Sequence, residues 1–333
     1  MLRREAPAHV VYIQIIMWPG IGGPQLVWKG LTVKRCPSCS SEEFKPAGRR
    51  MDGSSVSVCS RCGLGFLNPM PTGREIEEMY SNYFKRNDSI GYNDYPTWPH
   101  TTSLDYLLAD LIKRYERSKP RSLLDVGCAY GARVAFFKKL GFRATGVDIS
   151  EEATSHGRKK WNLDLKAVRF EEFAPKETYD VVTMIDFVEH ISEPLLWTEK
   201  LDALTHKDSL LLILTPDFDC RSVYGDKWIG YNASLEHVLF HNRRSLSCIF
   251  GQIGFGILFA SNVKSMPPTV DQAETKPKLR SSILEHLRKL KAIEAAKNID
   301  TYRQSVMHKL TWRGLLSSDN LENSLLIVAR KSR

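Results

Sequence analysis

The sequence predicts an α/β fold with a small separate module at its N-terminus, and three observations carry that prediction. Ser122 to Ser150 reads as strand, tight turn, helix, strand: an apolar run ends at Val126, Gly127 and Gly131 bracket a turn, and an amphipathic stretch runs from Ala132 to Leu140. Gly141 stops the helix, and a second apolar strand, Arg143 to Val147, ends in Asp148. The same strand and helix patterns go on alternating toward the C-terminus, the order of a mostly parallel sheet covered by helices. Ahead of it stand Cys36-Pro-Ser-Cys39 and Cys59-Ser-Arg-Cys62, separated by nineteen residues. Together these describe a Rossmann-like sheet domain over residues 121–333. It follows an extension (1–30), a four-cysteine ribbon (31–70) and a helical cap and linker (71–120).

Composition sets the bounds. A chain of 333 residues with 42% hydrophobic residues buries a sizeable core. Lys and Arg exceed Asp and Glu by 47 to 38, a net charge of +9. That excess suits an anionic partner such as nucleic acid, a nucleotide-sugar or a phospholipid surface; the plain alternative is a basic soluble enzyme. Seven cysteines, four of them in two C-x-x-C pairs, indicate a metal site and free thiols in a reducing compartment rather than a disulfide frame, so the expected location is cytoplasmic. The apolar run Val10 to Trp18 is too short to span a bilayer and is broken by Pro19-Gly20, so residues 1–30 are read as a loosely ordered extension.

Two knuckles at this spacing bring four thiolates, from Cys36, Cys39, Cys59 and Cys62, onto one tetrahedral Zn2+. Four sulfurs close the coordination sphere, which argues for a structural ion; a redox dithiol is the alternative. Val56, Val58, Leu64, Phe66 and Leu67 supply a ribbon core too small to hold without metal. Thr72 and Glu75 are spaced as a capping box for a helix to about Phe84, with Ile76, Met79, Tyr80 and Tyr83 on its buried face. Residues 87–100 read as a linker or an aromatic lid. Ser103 to Arg117 follows as an amphipathic helix.

The Ser122 unit is how open α/β sheets hold nucleosides: turn amides point at the ligand and the second acid accepts from ribose hydroxyls. A dinucleotide site or a degenerate nucleotide site is the alternative. The string D-V-G-C-x-x-G followed by G-V-D-I-S resembles motifs I and II of class I S-adenosylmethionine (SAM) dependent methyltransferases. That resemblance implies a seven-stranded class I methyltransferase sheet. It also implies SAM contacts from Asp125, Gly127, Ala129, Gly131, Asp148 and Ile149. Asp125 is assigned to the turn or the cofactor's amino group, and Ala129 stands where the family has its central glycine. The run C-x-x-C-G-L-x-F-L-N-P-x-P-T is similar to the N-terminal ribbon of bacterial methyltransferases of polysaccharide and antibiotic-sugar pathways.

Beyond Ser150, a helix is expected over Glu151 to Trp161 and a strand near Leu165 to Val168, with no acid assignable to the adenine at Arg169 to Glu171. A fourth strand, Tyr179 to Met184, leads into Asp186, Glu189 and His190. If that turn is helical, the three share one face and suit Mg2+ or Mn2+, as in the quinone and small-RNA methyltransferases the segment resembles; otherwise they support the SAM loop, to which Asp186 is assigned. A helix over Leu195 to Leu204 and a strand over Ser209 to Leu214 precede Asp217 to Tyr231, read as the acceptor wall with Tyr224, Trp228 and Tyr231 as its faces. The segment L-E-H-V-L-F-H-N-R-R-S-L resembles a stretch of the sugar-pathway enzymes that carries a general base and its orienter. His237 is assigned as base, Glu236 as its orienter, and His190 and His241 as reserves. A structural histidine is the alternative.

A helix over Asn242 to Gln252, a strand over Gly256 to Val263, a basic helical insertion over 276–313 and a last strand from Ser324 complete the chain. The expected activity is SAM-dependent methyl transfer to a small-molecule acceptor, a sugar, nucleotide-sugar or related metabolite. The alternatives are an RNA methyltransferase gripping phosphates with ribbon and insertion, and a SAM-binding interaction protein without turnover.

Overall fold

In the computed structural model, residues 30–76, 103–232, 236–263 and 324–332 are described; the linker at 87–100 and the insertion at 276–313 lie outside them. Three short strands open the described chain: β1 (Phe44–Arg49), β2 (Ser55–Cys59) and β3 (Gly65–Leu67). Thr72 and Glu75 form the expected box, Glu75 Oε2 accepting from the Thr72 amide at 2.8 Å and Thr72 Oγ1 from the Glu75 amide at 3.3 Å. The helix that they start is described only to Ile76.

Helix α1 (Ser103–Tyr115) puts Leu104, Leu107, Leu108, Leu111 and Ile112 on one stripe, all buried. Then come β4 (Ser122–Val126), α2 (Ala132–Lys139), β5 (Arg143–Asp148), α3 (Glu151–Trp161) and β6 (Asp164–Ala167). The start of α3 is fixed by Ser150, whose hydroxyl accepts from the Ala153 amide at 3.1 Å, and its end by Asn162 in the left-handed region. β7 (Tyr179–Ile185), α4 (Pro194–Ala203) and β8 (Thr205–Pro216) complete the parallel part. After two single-turn helices, Arg221–Tyr224 and Ile229–Asn232, come β9 (Leu239–Phe240), α5 (Arg243–Gln252), β10 (Phe255–Val263) and β11 (Ser324–Lys331).

The large sheet has the order β6-β5-β4-β7-β8-β11-β10. β4, β5, β6, β7 and β8 pair in parallel, while β11 inserts antiparallel between β8 and β10. This is the class I methyltransferase arrangement. Alternate residues of each strand feed two cores: Leu123, Val181, Leu212 and Val328 pack with α1 and α2, and Leu124, Val182, Leu211 and Ile327 with α4 and α5.

The ribbon is not a free-standing unit. Its sheet runs β1-β2-β3-β9, so its last strand comes from the stretch just after Glu236 and His237. Trp228 and Tyr231, read from the sequence as faces of an acceptor pocket, are fully buried in the core beneath this sheet with Phe66, Phe218 and Phe240. The ribbon's strands are too short to enclose a core, and these rings supply the missing apolar mass.

Candidate active site

A cavity of about 360 Å³ opens at the carboxyl ends of β4, β5, β6 and β7. From β4 the chain passes to β5 on one side and returns to β7 on the other, so this is the point at which strand order reverses and a crevice forms. The turn after β4 builds its floor. Gly127, Ala129 and Gly131 all have positive φ (73°, 48° and 86°), and the Gly127 and Cys128 amides both donate to the Val147 carbonyl. A Cβ on Gly127 would stand 3.0 Å from the Phe187 ring, and one on Gly131 2.9 Å from Leu163 and Leu165. Gly127 lines the cavity, whereas Gly131 packs against Leu163 and Leu165 and is not among the lining residues.

Asp148, assigned from the sequence to the ribose, ends β5. It lines the cavity, and its carboxylate is aimed by two amides: Ala129 N donates to Oδ2 at 2.8 Å and Ser150 N to Oδ1 at 2.9 Å. Burial nevertheless holds its proton affinity above the ordinary carboxylate level. Asp125 is different. It is fully buried behind the turn, accepts from Thr183 Oγ1 at 2.7 Å, and pairs with Arg133 at 3.1 Å, while Arg133 also reaches Asp105 at 3.3 Å. Its bonds run to β7 and α2, and it is not among the residues that line the cavity.

Ala129 is the strained member of the turn, since a left-handed alanine costs about 1 kcal/mol that glycine avoids. Ala129→Gly is expected to raise the Tm by roughly 2 °C. An unchanged or lower Tm in a thermal melt would show that the turn carries no such strain.

Of the remaining walls only Ile149 was assigned from the sequence. Ile149, Val168, Phe170 and Phe187 line one side, the last two edge to face at 6.0 Å, and Ile191 and Leu196 continue it. Arg169 and Glu171, where no adenine contact was assignable, lie on the same wall. Gly73 and Ile76 reach in from the cap. Their signal was present as scattered apolar residues after β6 and β7, but no periodicity ties them to one ligand.

The expected trio of Asp186, Glu189 and His190 does not converge. Asp186 follows β7 with φ 51°, and the next turn is a short 3-10 segment, Val188–His190, so no helical face spans the three. Asp186 and His190 line the cavity; Glu189 is turned inward, where Thr215 Oγ1 donates to it at 3.0 Å. The donor set read for Mg2+ or Mn2+ is therefore not assembled. It is His237 that joins Glu189 and His190, one polar atom of each lying within 4.8 Å of the others. Burial drives the proton affinities apart. Asp186 is pushed up to about 6 and Glu189 well above the usual range, while His190 and His241 are lowered to about 4 and His237 well below its ordinary value.

Of Glu236 and His237, it is Glu236 that lines the cavity. His237 is buried and absent from the cavity wall; its Nδ1 donates to the Gly230 carbonyl at 2.9 Å, so that carbonyl, not Glu236, fixes its tautomer. Its ring stands edge to face with His190 at 4.9 Å. His241 is buried too, with Nε2 3.3 Å from the Val188 carbonyl. Glu236 does line the cavity, and burial raises it to about 7.

Residues 100–258 match the family model described as "Methyltransferase domain". This chain carries a methyltransferase domain. The "Ubiquinone biosynthesis O-methyltransferase" of Actinobacillus pleuropneumoniae serotype 7 (strain AP76) is 28% identical over 106 residues, which cover 28% of this chain and 45% of the relative. That of Bradyrhizobium sp. (strain ORS 278) is 29% identical over 105 residues, 30% of this chain and 42% of the relative. The chain thus spans less than half the length of these curated relatives. Among solved structures, the plantazolicin methyltransferase BpumL with a monoazolic analogue and SAH superposes with a TM-score of 0.47 at 18% identity, covering 78% of this chain and 94% of that one. A SAM dependent methyltransferase from Archaeoglobus fulgidus gives 0.44 at 18% identity, covering 75% and 99%.

Against the methyltransferase domain sits the cysteine cluster. The Sγ atoms of Cys36, Cys39, Cys59 and Cys62 all lie within 4.8 Å of one another, with Cys36 and Cys62 3.5 Å apart and Cys39 and Cys59 3.6 Å apart. No sulfur pair is at bonding distance, and four sulfurs about 2.3 Å from one tetrahedral ion stand about 3.8 Å apart. Each knuckle is closed by its own backbone, Ser40 N donating to Cys36 O and Gly63 N to Cys59 O. The donor set fits zinc. Among the described residues no helix is long and apolar enough to cross a membrane.

Proposed function

We propose that this protein transfers a methyl group from SAM to a hydroxyl or activated carbon of a small-molecule acceptor, a sugar, nucleotide-sugar or related metabolite. The reading rests on one observation above all: a cavity at the switch point joins a fixed acid, Asp148, to a titratable corner made by Glu236 and His190. Its volume is that of a ligand cleft, roughly 300–1,000 Å³. Asp148 holds the ribose, the Gly127 to Ala129 backbone lets the methionine part approach, and Ile149, Val168 and Phe170 offer the base an apolar slot. When bound, SAM supplies an electrophilic methyl on sulfonium. The chain's own work is to hold the two substrates in line and to take one proton.

Glu236 is the better proton acceptor at neutral pH. A carboxylate near 7 combines being ionised with being basic, whereas an imidazole near 4 is a poor base. The base assigned from sequence to His237 thus moves to Glu236, with His190 beside it. The relatives named above are O-methyltransferases, which agrees with oxygen as the acceptor atom. Zn2+ on the four cysteines is structural.

The deciding experiment is calorimetric titration with SAM, followed by transfer of labelled methyl to sugar, nucleotide-sugar, phenolic and RNA acceptors. Saturable binding with label on a small molecule is the expected result. Label on RNA alone would overturn the acceptor class, and binding without transfer to any acceptor would leave a SAM-binding interaction protein.

A further inference from the structure

Arg50 reaches from the ribbon into the methyltransferase domain. It sits in the hairpin turn between β1 and β2, yet its side chain is wholly buried, and its Nη1 donates to the His237 carbonyl at 2.6 Å across 187 residues of sequence. Nη2 pairs with Asp52 at 3.3 Å, itself nearly buried. The hairpin does not need this side chain to close: Arg50 N donates to Ser54 O, Gly53 N to Arg50 O, and Asp52 Oδ1 accepts from Ser54 N. Taking a guanidinium out of water is costly unless it is hydrogen-bonded, and one of its bonds here crosses to the His237 carbonyl.

What it orients is the wall of the cavity. His237 O, the atom Arg50 grips, belongs to the residue next to Glu236, and the charge of Arg50 acts on the Glu236 carboxylate. The other groups at this point are His190, whose ring bonds the Glu236 main chain, and His237, which is neutral. Immediately downstream Val238 N donates to Glu189 O, and β9 joins the ribbon's sheet. From His237 onward the segment is thus held by the ribbon, through Arg50, the bond from Leu67 N to Val238 O and β9, whereas Asp148 is fixed by the Ala129 and Ser150 amides.

We propose that Arg50 is a positioning residue, by which the four-cysteine module sets Glu236 against the acceptor end of the cavity while leaving the SAM end independent. This rests on the reading of the cavity as a methyl-transfer site. It makes the module part of the reaction's geometry rather than an appended fold.

The test uses the full zinc-loaded chain and the variants Arg50→Met and Arg50→Lys. The Glu236 carboxyl is followed by carbon NMR, assigned by its loss in Glu236→Gln. Removing the opposite charge in Arg50→Met should raise the Glu236 titration midpoint by about one unit, and Arg50→Lys should restore at least about half of that. SAM affinity, measured by calorimetry, should stay within about twofold of wild type in both variants. A wild-type midpoint in Arg50→Met overturns the proposal, as does a Lys variant displaced as far as the Met variant. Should Arg50→Met not fold, Asp52→Asn releases the guanidinium's anchor without removing its charge, and an unmoved Glu236 midpoint there counts against the proposal equally. A wild type that binds no SAM defeats the methyl-transfer reading, while the midpoint comparison still decides the role of Arg50.

Discussion

Replacing Asp148 with alanine is expected to weaken SAM binding by about 100-fold or more, because two ribose hydroxyls lose a charged acceptor worth roughly 1.5–3 kcal/mol each and 1.4 kcal/mol is a factor of ten. The residue is unusual in acting twice. Its carboxylate fixes the Ala129 and Ser150 amides, and it then presents its remaining lone pairs to the cavity. Without it the turn loses the bond that holds a left-handed alanine in place, so Asp148→Ala loosens the floor as well as the ribose contact. Asp148→Asn, which keeps the shape and one acceptor oxygen, should fall between. Calorimetry at neutral pH checks the series, and circular dichroism confirms that the fold is retained. Affinity within about threefold of wild type would place the ribose elsewhere.

The second large effect concerns the metal. Cys36→Ser combined with Cys39→Ser removes two of four thiolates, and structural zinc of this kind contributes on the order of 10 kcal/mol to holding its module. The loss should appear first at Trp228, which is fully buried in the core shared by the ribbon and the end of β9. Its emission, taken as the difference from Trp228→Phe, should shift to the red as zinc content falls to zero. SAM binding should survive, since Asp148 and the β4 turn make no contact with that core. Full zinc content and an unmoved Trp228 emission would remove the ribbon assignment.

Most of the fold was legible because its signals are local. The period of three to four in α1, the acid-tipped β5 and the glycine turn before α2 each fall within one window of sequence. The last strand expected from Ser324 is found there as β11, antiparallel between β8 and β10. β8 begins at Thr205 rather than Ser209 because the polar His206 and Lys207 hide a strand end exposed at the edge of the core. The site was legible only in part. Asp148 could be read from its place at a strand tip; the destination of Asp125 could not, since it depends on Arg133 and Thr183 arriving from a helix and a neighbouring strand. The same holds for Glu236 and His237. Glu236 lines the cavity while its neighbour His237 is buried away from it, and the string of letters does not say which goes where.

The pairing of β3 with β9 also sets an order of assembly. Gly65 and Phe66 find their partners only at Phe240 and Leu239, with nearly all of the parallel sheet lying between them in the chain. During synthesis the cysteine knuckles emerge first and can take up metal, but their sheet stays open-edged until β9 leaves the ribosome. The unpaired edge of β3 is in that interval a template for any passing strand. The last join of the ribbon is thus made late and over a long loop, which places the closure of the Glu236 wall among the slower steps of folding.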